Sequence, residues 1–530
     1  MSDIYELKDR TVGKILTDKA TRHKDKPFCY FKDEVLTYGQ LNEKANMIAN
    51  GFLKMQITKG STVCVLLPNC LDYFTTFFGL AKTGAIEVPL NTAHKGNILQ
   101  HMINYSDAET MVVDKELLER VGFIEQGLKN LKTLVVYPDN KDIPALRFNT
   151  ISWKEMLDNP ATEPSVDVSH SDTLAIMFTS GTTGVSKGVM QPHNQYIWAG
   201  EEIVKEARIT SEDVFYTWLP LFHFTGQGLI TMGTLLASAS MGLVERFSVS
   251  AFWNDVKKFR ATVTGGFSQM VELLFNQPAK SEDAENTVRV MVVGLVPKAI
   301  HRAFEKRFNV VLLDDYGMSE AEPISYAAYE DRRPGSCGQC VEDFEVKIFD
   351  DDDNEVAPNV AGEIVVRPLK PYIMMTGYYK MPDKTLETWR NLWFHTGDFA
   401  YKDAEGYIYF IDRVKDYIRR RAENISSSEL ESIINSHPKV MESAAVGVPS
   451  EFGEDDVKVV VRLKEGEILS PQELLAFCED RMAYFMVPRY VEFVDRLPMT
   501  ETEKVKKLEL KSLTEKTWDR EKAGYKIRRR

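Results

Sequence analysis

Short apolar runs stopped by turn residues, each followed by a stretch with helical spacing, recur through most of this chain. That alternation constrains the fold more than any other feature. "STVCVLLPN" is an apolar run ended by Pro68 and Asn69, and "LDYFTTFFGLAKTGA" follows it with apolar residues at helical spacing. "GAIEVPLN" and "ETMVVD" read as further strands within residues 1–170. The pattern resumes at "DVFYTWLPL", "MGLVERF", "ATVTGGFS", "VRVMVVG" and "NVVLLDDYG". Strands alternating with amphipathic helices predict an α/β fold of parallel sheets with crossover helices. At 530 residues the chain exceeds one ordinary core, so two or more domains are expected.

From about 340 to 411 the pattern turns to hairpins: "FEVKIFDDDDNEV", "GEIVVRP" and "GYIYFID". The aspartates at 350–353 sit where a turn belongs; they lack the EF-hand spacing that calcium would need. After Asp412 the basic segment "DRVKDYIRRRAEN" leads into a predicted helix (427–436), strands (440–448 and 456–463), a helix (471–482) and a last strand (490–494). This is enough for a small α+β domain. The boundary is placed at 411–415, giving domains 1–411 and 412–530.

The net charge of −13 argues against a nucleic-acid partner for the whole chain. The last thirty residues reverse the balance, with eleven Lys/Arg against six Asp/Glu; they read as a solvated tail or a polyanion contact. No window approaches eighteen consecutive apolar residues, so no membrane span is expected. Six cysteines make no disulfide framework, and Cys337 and Cys340 lack the second pair or histidines of a metal site. A cytoplasmic protein is expected.

The apolar run before Met177 stops at "TSGTTGVSKG", Thr179 to Gly188. Small donor-rich residues closed by Lys187 suit a phosphate cradle, although such a cluster is also an ordinary surface loop. It is not the Walker pattern, which sets Gly directly before Lys and Ser/Thr after it. "DDYGMSEAEP" follows an apolar run and sets Tyr316, Gly317 and Glu320 just past a strand end, where α/β sheets gather ligands. Tyr316 can stack on a purine and Glu320 can hold Mg²⁺ beside phosphates; a helix start with an N-terminal acid is the plainer alternative. In "WFHTGDFA", Asp398 follows a Thr-Gly turn and can accept both ribose hydroxyls, with Arg413 a short hairpin away. "LPMTETEKVKKLEL" places Lys504 in a polar loop.

These motifs, in this order from about residue 10 to 510, resemble the adenylate-forming superfamily of acyl-CoA synthetases, luciferases and peptide-synthetase adenylation domains. The look is nearest to bacterial medium-chain or carnitine/crotonobetaine-type acyl-CoA ligases. The resemblance implies a large N-terminal domain of α/β subdomains plus a distorted β-barrel, and a small mobile C-terminal lid with its hinge near Lys415. It implies an ATP-dependent acid–CoA ligase using ATP, Mg²⁺ and coenzyme A, with an acyl-adenylate as intermediate, and a homodimer as a common assembly. Thr179, Ser180, Gly181, Thr182, Thr183, Gly184 and Lys187 would surround the β/γ-phosphates. Gly294, Leu295, Val296, Asp315, Tyr316 and Gly317 would hold the base, Ser319 the α-phosphate, Glu320 the Mg²⁺, and Asp398 and Arg413 the ribose. Lys504 would bridge the carboxylate and the α-phosphate. His223 would gate the acyl site, with Phe224, Phe267 and Met318 as pocket walls.

Three positions depart from the family pattern. Ser186 replaces a proline and is expected to loosen the phosphate loop, since proline fixes φ. Ala422 replaces a glycine beside the thiol tunnel, and Glu503 replaces the glycine before Lys504. The two lost glycines bear on the thiol step, so a carrier protein or an amine stands as an alternative acceptor. A nucleotide-binding protein without catalysis is a third reading.

Overall fold

The computed structural model describes residues 5–528 apart from 140, 180–185, 297, 299, 414–416, 421–422, 452–453, 499–504 and 506. Among the described residues the strands form sheets of nine, eight, five, four and two strands. The nine-stranded sheet runs from Gln339–Cys340 through Ala321–Tyr326, Val311–Met318, Val290–Gly294, Val263–Phe267, Val214–Thr217, Ser240–Leu243 and Pro27–Phe31 to Glu34–Thr37. Its interior pairings are parallel, as between Val290–Gly294 and Val311–Met318; its margins are antiparallel. The eight-stranded sheet is likewise parallel through Thr62–Leu66 and its neighbours, then turns antiparallel at Thr173–Thr179, Lys187–Pro192 and Gly377–Tyr378. The parallel sheets expected from the alternating pattern are therefore present.

The helix Leu71–Thr83 is buried along almost its whole length. Its Phe74 packs edge-on against Phe28 of the nine-stranded sheet at 5.4 Å, and its Phe77 lies 5.9 Å from Tyr196. One apolar core thus joins both large sheets. Each such phenylalanine contributes roughly 2 kcal/mol when taken fully out of water.

The hairpins read at 340–411 form the five-stranded antiparallel sheet, in which Phe344–Phe349, Gly362–Pro368 and Trp393–Lys402 are successive neighbours and Ile408–Arg413 pairs with Trp393–Lys402. Beyond it, Tyr417–Arg420 and Glu423–Ser426 pair with each other. The helix Ser427–Asn435, strands Val440–Pro449 and Asp455–Leu463, helix Pro471–Glu479 and strand Tyr490–Phe493 follow in the expected order. Ile418, Ile425 and Val459 share a core cluster with Leu66 and Ile176 of the eight-stranded sheet.

One element differs from the reading. The strand taken to end near Leu313 continues as Val311–Met318 and turns back as Ala321–Tyr326, so Asp314, Asp315 and Tyr316 lie within a strand. The helix-start alternative for this segment is set aside by the same hairpin. Aspartates are poor strand formers, but here Asp314 is locally compensated. Its Oδ1 accepts the Val296 N–H at 2.6 Å, and its Oδ2 lies 3.3 Å from Nε2 of the fully buried His301.

Candidate active site

A cavity of about 1310 Å³ opens where the sheets converge. Lys187 and Tyr378 come from the eight-stranded sheet, Gly265, Gly294 and Tyr316 from the nine-stranded one, and Asp398 and Phe410 from the five-stranded one. Glu423 and Glu429 enter from the C-terminal segment. The volume exceeds the usual several hundred cubic ångströms of a single small-molecule pocket, so the space accommodates more than one ligand moiety.

On one side the structure brings Tyr316 and Asp398 together. The Tyr316 hydroxyl donates to Asp398 Oδ2 at 2.8 Å, and Asp398 is 1 % exposed. The carboxylate is aimed by its strand. Gly397 has φ +74°, a conformation glycine adopts without strain, and its N–H donates to Glu363 Oε1 at 2.9 Å. Asp398 is in register with Arg413, whose side chain lies outside the described set. The Phe410 ring sits 6.0 Å from that of Tyr316. Gly294 and Leu295 line the cavity; Leu295 takes φ +58°, rare for a branched side chain, and Val296 is buried behind it. Such a wall, with an aromatic face, a buried carboxylate and a strained turn, suits a base and a ribose.

A second cluster forms around Lys187, which is paired with Thr179 across the hairpin whose tip carries the glycine-rich motif. Ser180, Gly181, Thr182, Thr183 and Gly184 lie outside the described residues. The Lys187 ammonium sits 4.8 Å from the centre of the Tyr378 ring. The Tyr378 hydroxyl donates to Glu320 Oε1 at 2.8 Å, and Glu320 is itself buried. The Ser319 carbonyl accepts from Gln191 Nε2 at 2.7 Å and Gln195 Nε2 at 3.1 Å, which fixes the tip of the Tyr316 hairpin against the phosphate side.

Glu320 fits the Mg²⁺ role chemically. It is a cavity-lining carboxylate with one oxygen oriented by Tyr378. Among the described residues no cluster of three or more His, Cys, Asp or Glu could hold an ion alone. Mg²⁺ bound with polyphosphate commonly takes one or two protein carboxylates, the rest being phosphate and water.

The third side is largely apolar. The segment Thr225–Thr231 is a π-helical turn, a widened helix found often at functional sites. Its Gly226, Leu229 and Ile230 line the cavity with Phe224, Phe267 and Met318. Phe224 is buried against Tyr196 at 5.0 Å. His223 also lines the cavity, with Nε2 3.6 Å from Glu423 Oε2. Asp315, assigned to the nucleotide by its motif, and Glu322, assigned to nothing, both line the cavity. Burial pushes Asp315 up to about 7 and Glu322 up to about 8; in each case a neighbouring aspartate adds to the shift.

Ser186 is buried and donates its hydroxyl to Glu429 Oε1 in the C-terminal helix. The departure from proline thus supplies a contact that a proline ring lacks, which the expectation of a looser loop did not contain. Lys504, Lys415, Ala422 and Glu503 lie outside the described residues. Tyr378, Gln191, Gln195 and Glu322 were not singled out from the sequence; "TGYYK" around Tyr378 reads locally as an ordinary strand end.

The AMP-binding enzyme family matches residues 16–379, and its C-terminal domain matches 429–504. A protein named crotonobetaine/carnitine–CoA ligase from Citrobacter koseri is 34 % identical over 484 residues, covering 90 % of this chain and 93 % of its own. A ligase of the same name from Proteus mirabilis is 33 % identical over 479 residues, covering 89 % and 92 %. The solved structure of an o-succinylbenzoate CoA synthetase variant from Bacillus subtilis, bound to a product analogue, superposes with a TM-score of 0.83 at 23 % identity, covering 95 % of this chain and 99 % of that one. With matches over most of its length, and Lys187, Tyr316, Glu320 and Asp398 lining one cavity, the chain belongs to the AMP-binding, adenylate-forming enzyme family.

Proposed function

We propose that the protein is an ATP-dependent carboxylic acid–CoA ligase that forms an acyl-adenylate and pyrophosphate, then an acyl-CoA thioester and AMP, on a carnitine-like acid. The observation that carries this reading is the convergence of the Tyr316–Asp398 couple and the Lys187–Tyr378–Glu320 cluster on one cavity that continues into an apolar pocket. The curated relatives named for crotonobetaine and carnitine supply the acid class.

The first half-reaction brings two anions together, so positioned cations and donors lower its barrier. Tyr316 stacks on the base while its hydroxyl holds Asp398 for the ribose oxygens. Lys187 carries positive charge to the polyphosphate. Glu320 would hold Mg²⁺, which supplies charge neutralisation at the phosphates. His223 closes the acyl site at the entrance. Lys504 bridges the two reacting anions and must withdraw before the thiol enters, a swing assigned to dihedral changes near Lys415. The domain division at 411–415 follows from that hinge. A homodimer is the assembly we assign; light scattering tests it.

The test is AMP and pyrophosphate release over a panel of acids, with and without CoA. AMP formation that requires both a carnitine-like acid and CoA is expected. Pyrophosphate release that CoA leaves unchanged would favour the carrier-protein or amine alternative, and no release with any acid would remove the enzymatic reading. Asp398→Asn should raise the KM for ATP at least about tenfold, since a hydrogen bond to a charged partner is worth roughly 1.5–3 kcal/mol.

A further inference from the structure

The cavity is lined by two buried acids that have no cationic partner among the described residues. Asp315 and Glu322 stand on the antiparallel strands Val311–Met318 and Ala321–Tyr326, and both line the cavity. Asp315 is 8 % exposed, and no side chain among the described residues donates to it. Glu322 accepts one hydrogen bond, from Thr225 Oγ1 at 3.2 Å on the π-helical turn. The charges bearing on the two are further carboxylates: Asp314 on Asp315, and Asp315 on Glu322. Behind them Glu206 is 4 % exposed with Oε1 unbonded, and Asp315 bears on it too.

A buried carboxylate without a counter-charge is costly. Two facing a ligand cavity, with a third behind, find their counter-charge most directly in a ligand. The surrounding walls decide which cation. Ile203, Ile230, Val292, Phe224 and Phe267 offer hydrocarbon and aromatic surface. A primary ammonium needs three acceptors for its N–H groups. A quaternary ammonium needs none, buries its methyl groups against such walls and gains from aromatic faces.

Resting on the acid–CoA ligase reading above, we propose that Asp315 and Glu322 form a receptor for a quaternary ammonium group at the end of the substrate remote from its carboxylate. They thereby select cationic acids over neutral acids of the same shape. Glu322 is tied to the π-helical turn through Thr225, and Asp315 stands between it and Gly294, where an added Cβ would lie 3.6 Å from Asp315 Oδ1.

The experiment compares crotonobetaine with the neutral isostere in which its quaternary nitrogen is replaced by carbon, using AMP release with ATP and CoA saturating. The wild type should favour the cation at least about tenfold in kcat/KM. Glu322→Gln and Asp315→Asn should each lower the cation-to-neutral ratio at least about tenfold, through the KM of the acid more than through that of ATP. Glu322→Asp, which keeps the charge, should restore part of the preference. The ratio is read within each variant, so a partial loss of folded protein cancels, and Asp315→Asn decides if Glu322→Gln is insoluble. A wild type that turns over both acids equally, or variants with an unchanged ratio, would overturn the proposal and leave the ligase reading standing. AMP release with some other acid but neither of these would do the same. Absence of AMP release with every acid would overturn both.

Discussion

The Ser186–Glu429 contact makes a prediction specific to this chain. Ser186 donates its hydroxyl to Glu429 Oε1, and its backbone N–H bears on the same carboxylate. Burial pushes Glu429 up to about 6 from 4.5, against the two donors that pull it down. That shift corresponds to about 2 kcal/mol by which the docked arrangement disfavours the charged carboxylate. The sign follows from proton uptake. The docked state binds the extra proton, so docking is tightest below about pH 4.5 and loosens as pH rises to about 6, beyond which the full cost is present. Ser186→Ala removes a hydrogen bond to a charged group, worth roughly 1.5–3 kcal/mol. It should lower the docked population about tenfold to a hundredfold at pH 7.5, with a smaller loss at pH 6 because losing the donor raises the Glu429 pKa further. Under the proposed reading, in which the C-terminal segment moves between the half-reactions, we assign this arrangement, with Glu423 and Ile425 lining the cavity, to the thiol step. Single-turnover acyl-CoA formation from preformed adenylate should therefore slow about tenfold or more in Ser186→Ala, while pyrophosphate exchange holds. Glu429→Gln keeps an acceptor without the desolvated charge and should show neither the large defect nor its pH dependence. A Ser186→Ala enzyme that slows pyrophosphate exchange instead, or whose thiol-step defect is the same at both pH values, would refute the reasoning.

Two further outcomes concern stability. Glu87 is fully buried, with Gln227 Nε2 donating to it at 3.0 Å, and burial pushes it up to about 8. The folded state holds its proton through the window from 4.5 to about 8 while the unfolded state releases it, so stability should fall by at most about 1.4 kcal/mol per pH unit there. Melting temperatures measured at pH 6 and pH 8 should converge in Glu87→Gln; a slope the same as wild type would count against this carboxyl. Gly338 has φ +81° and a Cβ there would lie 1.9 Å from the Tyr326 carbonyl oxygen, whereas Gly406, at φ +89°, meets only Gln339 Nε2 at 3.9 Å. Gly338→Ala should cost about 4 kcal/mol or leave no soluble protein, and Gly406→Ala only about 1 kcal/mol; equal melting shifts would show that the close approach is relieved elsewhere.

Much of the fold was legible because parallel strands must be apolar on both faces, and runs such as "STVCVLLPN" and "VRVMVVG" have few other uses in a chain of this length. The C-terminal segment was legible by alternation and turn residues, and its strands and helices fall within a few residues of their expected ends. What was not legible is where a local rule is broken with compensation from far away. Asp314 and Asp315 spoil the composition of a strand that in fact continues to Met318. The compensation, His301 and the Val296 N–H, comes from elements with no sequence mark of that task. The π-helical turn at Thr225–Thr231 has no periodicity of its own short enough to detect in seven residues.

The site divides along the same line. Tyr316, Glu320, Lys187 and Asp398 stand in short runs rich in glycine and hydroxyls, where backbone approach to a phosphate or a sugar leaves a compositional trace. Tyr378, Gln191 and Glu322 act through partners distant in the chain, Glu320, Ser319 and Thr225, and a tyrosine or a glutamate in a strand carries no such trace. Ser186 lies between the two cases. Its departure from proline was visible as a change in loop stiffness, but its partner is 243 residues away. A substitution in the glycine-rich loop was therefore readable as local geometry, while its larger consequence is an interaction with the helix Ser427–Asn435. The same reasoning applies to the acyl pocket. The two acids of the proposed receptor, Asp315 and Glu322, both lie within "DDYGMSEAEP", among residues read as serving the nucleotide. Motifs locate the chemistry that every member of a fold shares. The features that distinguish one substrate from another are set where strands meet, and these become visible only when the register is known.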